Sequence, residues 1–387
     1  MTALLLCLYT HSVCAYKAVI SVPIADLIEC PLSSISSHNV LSSYNTLPYA
    51  EEGGQHSCPR ARQALFNEIV DVVATNKDEV QCRVYNMFTH TKQGANNLFW
   101  THKKNISATE NNELAIPEPY TIDYKHVSTS SDILSLIFPW YDYVTQYTYS
   151  IGTRFVRDKS YDTDTHYAIR IKDYSSDSIE RSYIKKSKAV ISKKRSTQES
   201  RLLYVVLLKK WANAIGLIPY VTGGASFTGE YNSDLYYIEY EKNEKCSISF
   251  WNRPRQKYVV SGLDCSGIVI RAAQIAGLPY FYEDTTTLST YLKSLEKDQS
   301  IENGDLIWHK GHVMTISDIN NNMVIESTGY RTGFGKTVEH SLSDIFRKIK
   351  TYTQLKQAYL DKTSVERIDK NHHTLKNISS LMIYKIA

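Results

Sequence analysis

After its first fifteen residues the chain has no stretch of eighteen uncharged apolar residues, no cysteine pair spaced CxxC, and no large excess of either charge. The first absence excludes a bilayer-spanning helix from that part of the sequence. The second argues against a zinc or dithiol-redox site. A net charge of +4 over 387 residues gives slight attraction to anionic surfaces. It provides no basis for nucleic-acid binding, which needs a clustered basic face. The Gly223-Gly224 turn is not followed by the Gly-Lys-Ser or Gly-Lys-Thr of a phosphate-cradling loop, so it is no nucleotide site.

What is present describes a folded chain. Hydrophobic residues at 42% and charged residues at 22% are ordinary for a globular protein, and the length suits two or three domains. Twenty-nine tyrosines, mostly in segments that alternate apolar and polar residues, favour strands. The opening MTALLLCLYTHSVCA is apolar and ends in Val13-Cys14-Ala15, the small-residue character of a signal-peptidase site. A cleaved export signal over 1–15 is therefore expected, with a buried strand as the other reading. Its removal leaves Cys30, Cys58, Cys82, Cys246 and Cys265, an odd set that holds at least one unpaired thiol unless chains are cross-linked.

Short strand-like runs separated by turns fill 16–112, among them SVPIADLIECPL, QALFNEIVDVVA, QCRVYNMF and NNLFWTHKKN, and suggest a small barrel. A second such segment spans 113–195, with SLIFPWYDYVTQY, GTRFVRDK, HYAIRIKDY and RSYIKKSKAVI. The basic run from Lys185 to Arg195 reads as a solvated linker. From 197 the period changes: ESRLLYVVLLKKWANAIG has apolar residues three and four apart and predicts a helix. An inserted pair of strands is expected over 231–260. SGLDCSGIVIRAAQIAGLPY then predicts a turn into an amphipathic helix, and ENGDLIWHKGHVMTISDINNNMVIESTGY predicts strands. Helix near 342–360 and a final strand in SLMIYKI complete the pattern.

Cys265 is the sharpest candidate for chemistry. It sits at the predicted start of a helix, where unpaired amides and the helix field stabilise a thiolate and can receive an oxyanion. A small buried cysteine at a helix cap is the plain alternative. His312 opens the strand HVMTI after a Lys-Gly turn and is the candidate base. His309 competes for that role but reads as a surface or loop histidine. A third group is needed to orient the imidazole. Glu326, on the strand after His312, fits through hairpin register, and Asp318 in the turn is its rival.

PYVTGGASF, LDCSG with its helix, NGDLI, GHV and IES, in that order over 197–330, resemble the NlpC-type cysteine peptidases of bacterial cell-wall metabolism. The likeness is to the subgroup in which bacterial SH3-like domains precede the catalytic domain. It implies an α+β fold: two small SH3-like β-barrels at 16–112 and 113–195, then a papain-like peptidase domain over 197–387. It implies Cys265 as nucleophile, His312 as base and Glu326 at the third position, where the family usually has histidine, asparagine or glutamine. Tyr220 matches the aromatic lining the cleft. Asp264 matches the acidic residue that holds the free amino terminus of a muropeptide. The implied substrate is a murein peptide or peptidoglycan, cut between a gamma-linked D-glutamyl residue and a diamino acid, without metal or organic cofactor. The implied location is the periplasm or cell envelope. About thirty-five residues separate the GG segment from DCSG, where the family passes quickly. A thiol acyltransferase or other amidase, and a non-catalytic cell-wall binding protein, remain the rival readings.

Overall fold

The computed structural model describes residues 15–31, 60–85, 87, 89–91, 94–109, 115–118, 132–214, 218–229, 261–278, 284–329 and 334–386. The leader expected at 1–15 (Ala15 apart) and the strands expected over 231–260 lie outside these residues.

Seven strands between residues 16 and 108 form one antiparallel sheet. Its order is Arg60–Leu65, Ile24–Ile28, Leu98–His102, Glu79–Val84, Ile69–Asn76, Tyr16–Ile20, Ile106–Ala108. The run QALFNEIVDVVA is not one strand but two, because Asn67 takes a left-handed backbone (φ 68°) and turns the chain after Phe66. Phe66 leaves its own sheet and packs with Trp140, Tyr149 and Phe155 in the core beneath the second sheet. That second sheet has five strands in the order Ser178–Lys185, His166–Asp173, Arg154–Arg157, Ile133–Leu136, Ala189–Ile191. Both sheets keep two edges, so the closed barrels expected from the strand count are not formed by hydrogen bonding among the described residues. The linker expected at Lys185–Arg195 is also corrected. Lys185 ends one strand, and Ala189–Ile191 pairs with Leu134–Leu136, since Ala189 has a place in the core.

Beyond this, helix Thr197–Lys209 starts at Ser196, whose hydroxyl accepts from the Glu199 amide while the Glu199 carboxylate answers the Ser196 amide. Helix Cys265–Ala276 runs from its Asp264 cap to Gly277, which closes it in a left-handed conformation at φ 79°. A six-stranded antiparallel sheet carries, at its centre, Leu306–His309, His312–Asp318 and Met323–Ser327. Pleat alternation splits its side chains between two cores. Leu306, Val313 and Ile325 pack with Tyr204, Leu207, Ile268, Val269 and Ala272 of the two helices. Ile307, Met314 and Val324 pack on the other side with Leu342, Phe346, Leu355 and Val365. The helix expected over 342–360 is two helices, Leu342–Ile345 and Tyr352–Leu360, and Met382–Lys385 is the strand within SLMIYKI. No helix among the described residues is long and apolar enough to cross a membrane.

Candidate active site

Cys265 is the first residue of its helix because Asp264 ends the preceding extended backbone and caps it, accepting from the Gly267 amide at 2.6 Å. The GG segment lies directly against this start: the Asp264 amide donates to the Gly224 carbonyl at 3.0 Å and the Leu263 amide to the Pro219 carbonyl at 3.0 Å. A β-carbon at position 267 would collide with the Gly224 carbonyl oxygen, which accounts for the glycine in DCSG. The first sheet braces the same place. Arg62 donates to both Asp264 oxygens, at 3.1 and 3.3 Å, and to the Ser266 hydroxyl at 3.1 Å. The carboxylate of Asp264 is thus committed to a helix cap and an ion pair. Tyr220 is half-buried on the segment flanking the helix start, with its amide donating to the Gly335 carbonyl at 2.9 Å.

Cys265 is 7% exposed and packs in one core with Val313, the neighbour of His312. Helix Cys265–Ala276 therefore packs on the strand that His312 opens. Burial, helped by Asp264, pushes the thiol up to about 12, against the Val313 amide, Arg62 and the Ser266 amide. Burial and then the Arg367 cation hold His312 below its ordinary value, against the Glu326 carboxylate. At neutral pH the pair rests as thiol and neutral imidazole.

His312 Nε2 is 2.5 Å from Glu326 Oε2. This places the proton on Nε2 and leaves Nδ1 as the basic nitrogen of the ring. Glu326 is 2% exposed, and three groups surround it. Arg367 Nη2 donates to both oxygens, at 2.7 and 3.0 Å, and His340 Nε2 lies 3.0 Å from Oε1. Burial alone would raise this carboxyl, but Arg367, then His312 and His340, hold it well below the usual range. Asp318, the rival, is elsewhere: it accepts from Asn321 and pairs with Lys209 at 3.4 Å.

His309 is not the surface histidine expected. It is 2% exposed, stacked on His312 with ring centroids 5.4 Å apart, and its Nε2 lies 3.3 Å from Arg367 Nη1. Its neutral form is fixed by burial, and by His312, Arg367 and Lys376, which depress it to about 3. Arg367, His340 and Lys376 have no motif to announce them. They lie after the recognisable peptidase segments, and only the fold brings them to Glu326 and His309.

These titrations set an acid limit on stability. Between the ordinary histidine value of 6.5 and about 3, the unfolded chain binds a proton at residue 309 that the folded chain does not, so stability falls as pH drops through this window. The depressed Glu326 adds stability that is complete above its ordinary value of 4.5 and is lost as pH falls below it. Thermal unfolding from pH 7 to pH 4 is expected to show a falling midpoint, with His309→Gln flattening the part above pH 5. A slope unchanged by that substitution would contradict the assignment.

Comparison with known proteins bears on the fold. The crystal structure of an NlpC/P60 family protein from Bacillus cereus superposes with a TM-score of 0.53 at 17% identity, covering 84% of this chain and 94% of that one. The chain has the fold of an NlpC/P60 protein. This agrees with the papain-like α+β fold implied by DCSG, GDL and GHV, although at that identity the likeness speaks to fold alone. NlpC1 and NlpC2 from Trichomonas vaginalis also match, each at 11% identity, covering 89% and 86% of this chain and 94% and 95% of theirs. Their TM-scores of 0.32 and 0.30 are too low to bear on this chain. No protein-family model and no curated protein matches the sequence.

Proposed function

We propose that the chain is a thiol-dependent hydrolase of murein peptides, with Cys265 as nucleophile, His312 as base and Glu326 as the group that orients it. The observation that supports this reading is the meeting of three elements: a cysteine at a helix start, packed against the strand opened by His312, whose ring is held by a buried carboxylate. Neutral His312 takes the Cys265 proton as the sulfur attacks an amide carbonyl. The Cys265 amide at the helix start receives the oxyanion, since the Gly267 amide is already engaged by Asp264. The C–N bond then breaks, and the amine leaves with the proton from His312. Water, deprotonated by His312, attacks the thioester, and the C–S bond breaks to restore the thiol.

The murein substrate, the bond between D-glutamyl and diamino acid, and an exported location follow from the sequence resemblance. So does the SH3-like character of the two leading sheets, with boundaries near 112 and 195. Tyr220 enters as a wall of the cleft beside the helix start. Selection of a free amino terminus by Asp264 is not favoured by the geometry, because Arg62 already meets that charge.

The test is mass spectrometry of L-Ala-γ-D-Glu-diaminopimelate incubated with the protein. Cleavage at the glutamyl bond is expected. N-acetylation of the peptide is expected to change the rate by less than about tenfold, one ion pair's worth of binding. A folded protein that cuts neither peptide would overturn the substrate assignment. One observation favours a second reading, a binding protein that retains the site as packing: the thiol is buried and strongly protonated. In that case the peptide would bind and not be cut.

A further inference from the structure

We propose that Arg367 is a positioning residue, and that Glu326 and Arg367 act together as one electrically neutral partner for His312. The proposal rests on reading His312 as the base. A lone buried glutamate at the third position would place a full negative charge against the imidazole. Here Arg367 grips both oxygens of Glu326, at 2.7 and 3.0 Å, and both side chains are almost wholly buried. The imidazole therefore meets a carboxylate whose charge is cancelled at hydrogen-bond distance. It keeps the acceptor it needs for orientation without the excess anion. Arg367 also reaches His309 with its other nitrogen, at 3.3 Å, so one guanidinium touches both the carboxylate that holds His312 and the ring stacked on it.

The element that delivers Arg367 gives a second, independent pointer. Strands Val365–Ile368 and Thr374–Ile378 form a hairpin outside the six-stranded sheet, joined to Phe346 by a single bridge at Arg367. In its register Arg367 stands directly opposite Lys376. Two cations facing each other across a hairpin destabilise it, so the pair is poorly placed for the hairpin itself. Each instead turns to the site: Arg367 to Glu326, and Lys376 Nζ to within 3.2 Å of His309 Nδ1. The other titratable groups facing this cluster are Cys265 from the helix, His309 and His312 from neighbouring strands, and His340 from the strand beyond Glu326.

The test compares Glu326→Gln, Arg367→Met and the double variant. The readouts are the His312 ring titration by NMR in a Cys265→Ala background, and peptide cleavage in the Cys265 protein. Glu326→Gln leaves Arg367 uncompensated and is expected to lower the His312 titration by about one pH unit or more; Arg367→Met is expected to raise it by a similar amount. In the double variant, a neutral amide faces a neutral side chain. Its titration is expected to return to within about 0.5 unit of the parent, with cleavage at least about tenfold faster than in the worse single variant. A double variant as impaired as the worse single one, with His312 unmoved in all three, would overturn the proposal and leave the pair a structural tie. If the parent cuts no peptide, the titration arm still decides on the pair. Failure of the hydrolase reading and failure of this proposal are therefore separable.

Discussion

Replacing Cys265 by alanine is expected to lower cleavage of the tripeptide by about a thousandfold or more, the usual cost of deleting the nucleophile in a covalent mechanism. The fold should remain, because Cys265→Ala keeps the β-carbon and removes a single small atom from the core between the helix and the Val313 strand. Removing one buried sulfur at an N-terminal helical position costs about 1 kcal/mol, which a chain with four hydrophobic cores among its described residues tolerates. Rate and thermal midpoint measured on the same preparation separate these effects. A variant that retains more than a tenth of the parent rate would remove Cys265 from the chemistry.

Arg271→Leu is expected to give the largest loss of stability. Arg271 has no exposed surface and fills a gap between three parts of the chain. Its Nε donates to the Ala225 carbonyl of the GG segment at 2.7 Å, and its Nη2 to the Gln63 carbonyl of the first sheet at 2.9 Å. Its Nη1 donates to Glu68 and Gln274, both at 2.8 Å. A leucine leaves the Glu68 carboxylate without its Arg271 cation in a nearly dry site and removes one donor from each of two carbonyls. Breaking a buried pair in this way costs about 3–5 kcal/mol. Urea unfolding would show it as a fall in midpoint, partly restored by adding Glu68→Leu. A change below about 1 kcal/mol would mean that water or another side chain replaces Arg271.

The same residues explain what could and could not be read along the chain. The helix from 197 and the helix from Cys265 were legible because their apolar period and their caps are local. Glu326 was legible as a neighbour of His312 because a short hairpin fixes which side chains share a face. His309 was misread because its burial depends on Arg367 and Lys376, more than fifty positions away and without a motif. Asp264 was read through the family pattern as a ligand for an amine, and Arg62, two hundred positions upstream, occupies that carboxylate. The run around Phe66 looked like a continuous strand because Asn67 carries little warning of a left-handed turn, and because the core that receives Phe66 belongs to another sheet. Local pattern found most of the elements and marked the cysteine proposed as nucleophile. Partners contributed from distant segments set the charges around it.

The central claim is that Cys265 becomes acylated during turnover. Intact-protein mass spectrometry of the enzyme, acid-quenched within the first turnovers on L-Ala-γ-D-Glu-diaminopimelate, tests this most directly. The account expects an adduct of L-Ala-γ-D-Glu on the protein, cleaved by hydroxylamine as a thioester and missing in Cys265→Ala. Hydrolysis of the peptide that proceeds at the same rate in Cys265→Ala, with no adduct at any time, would contradict it.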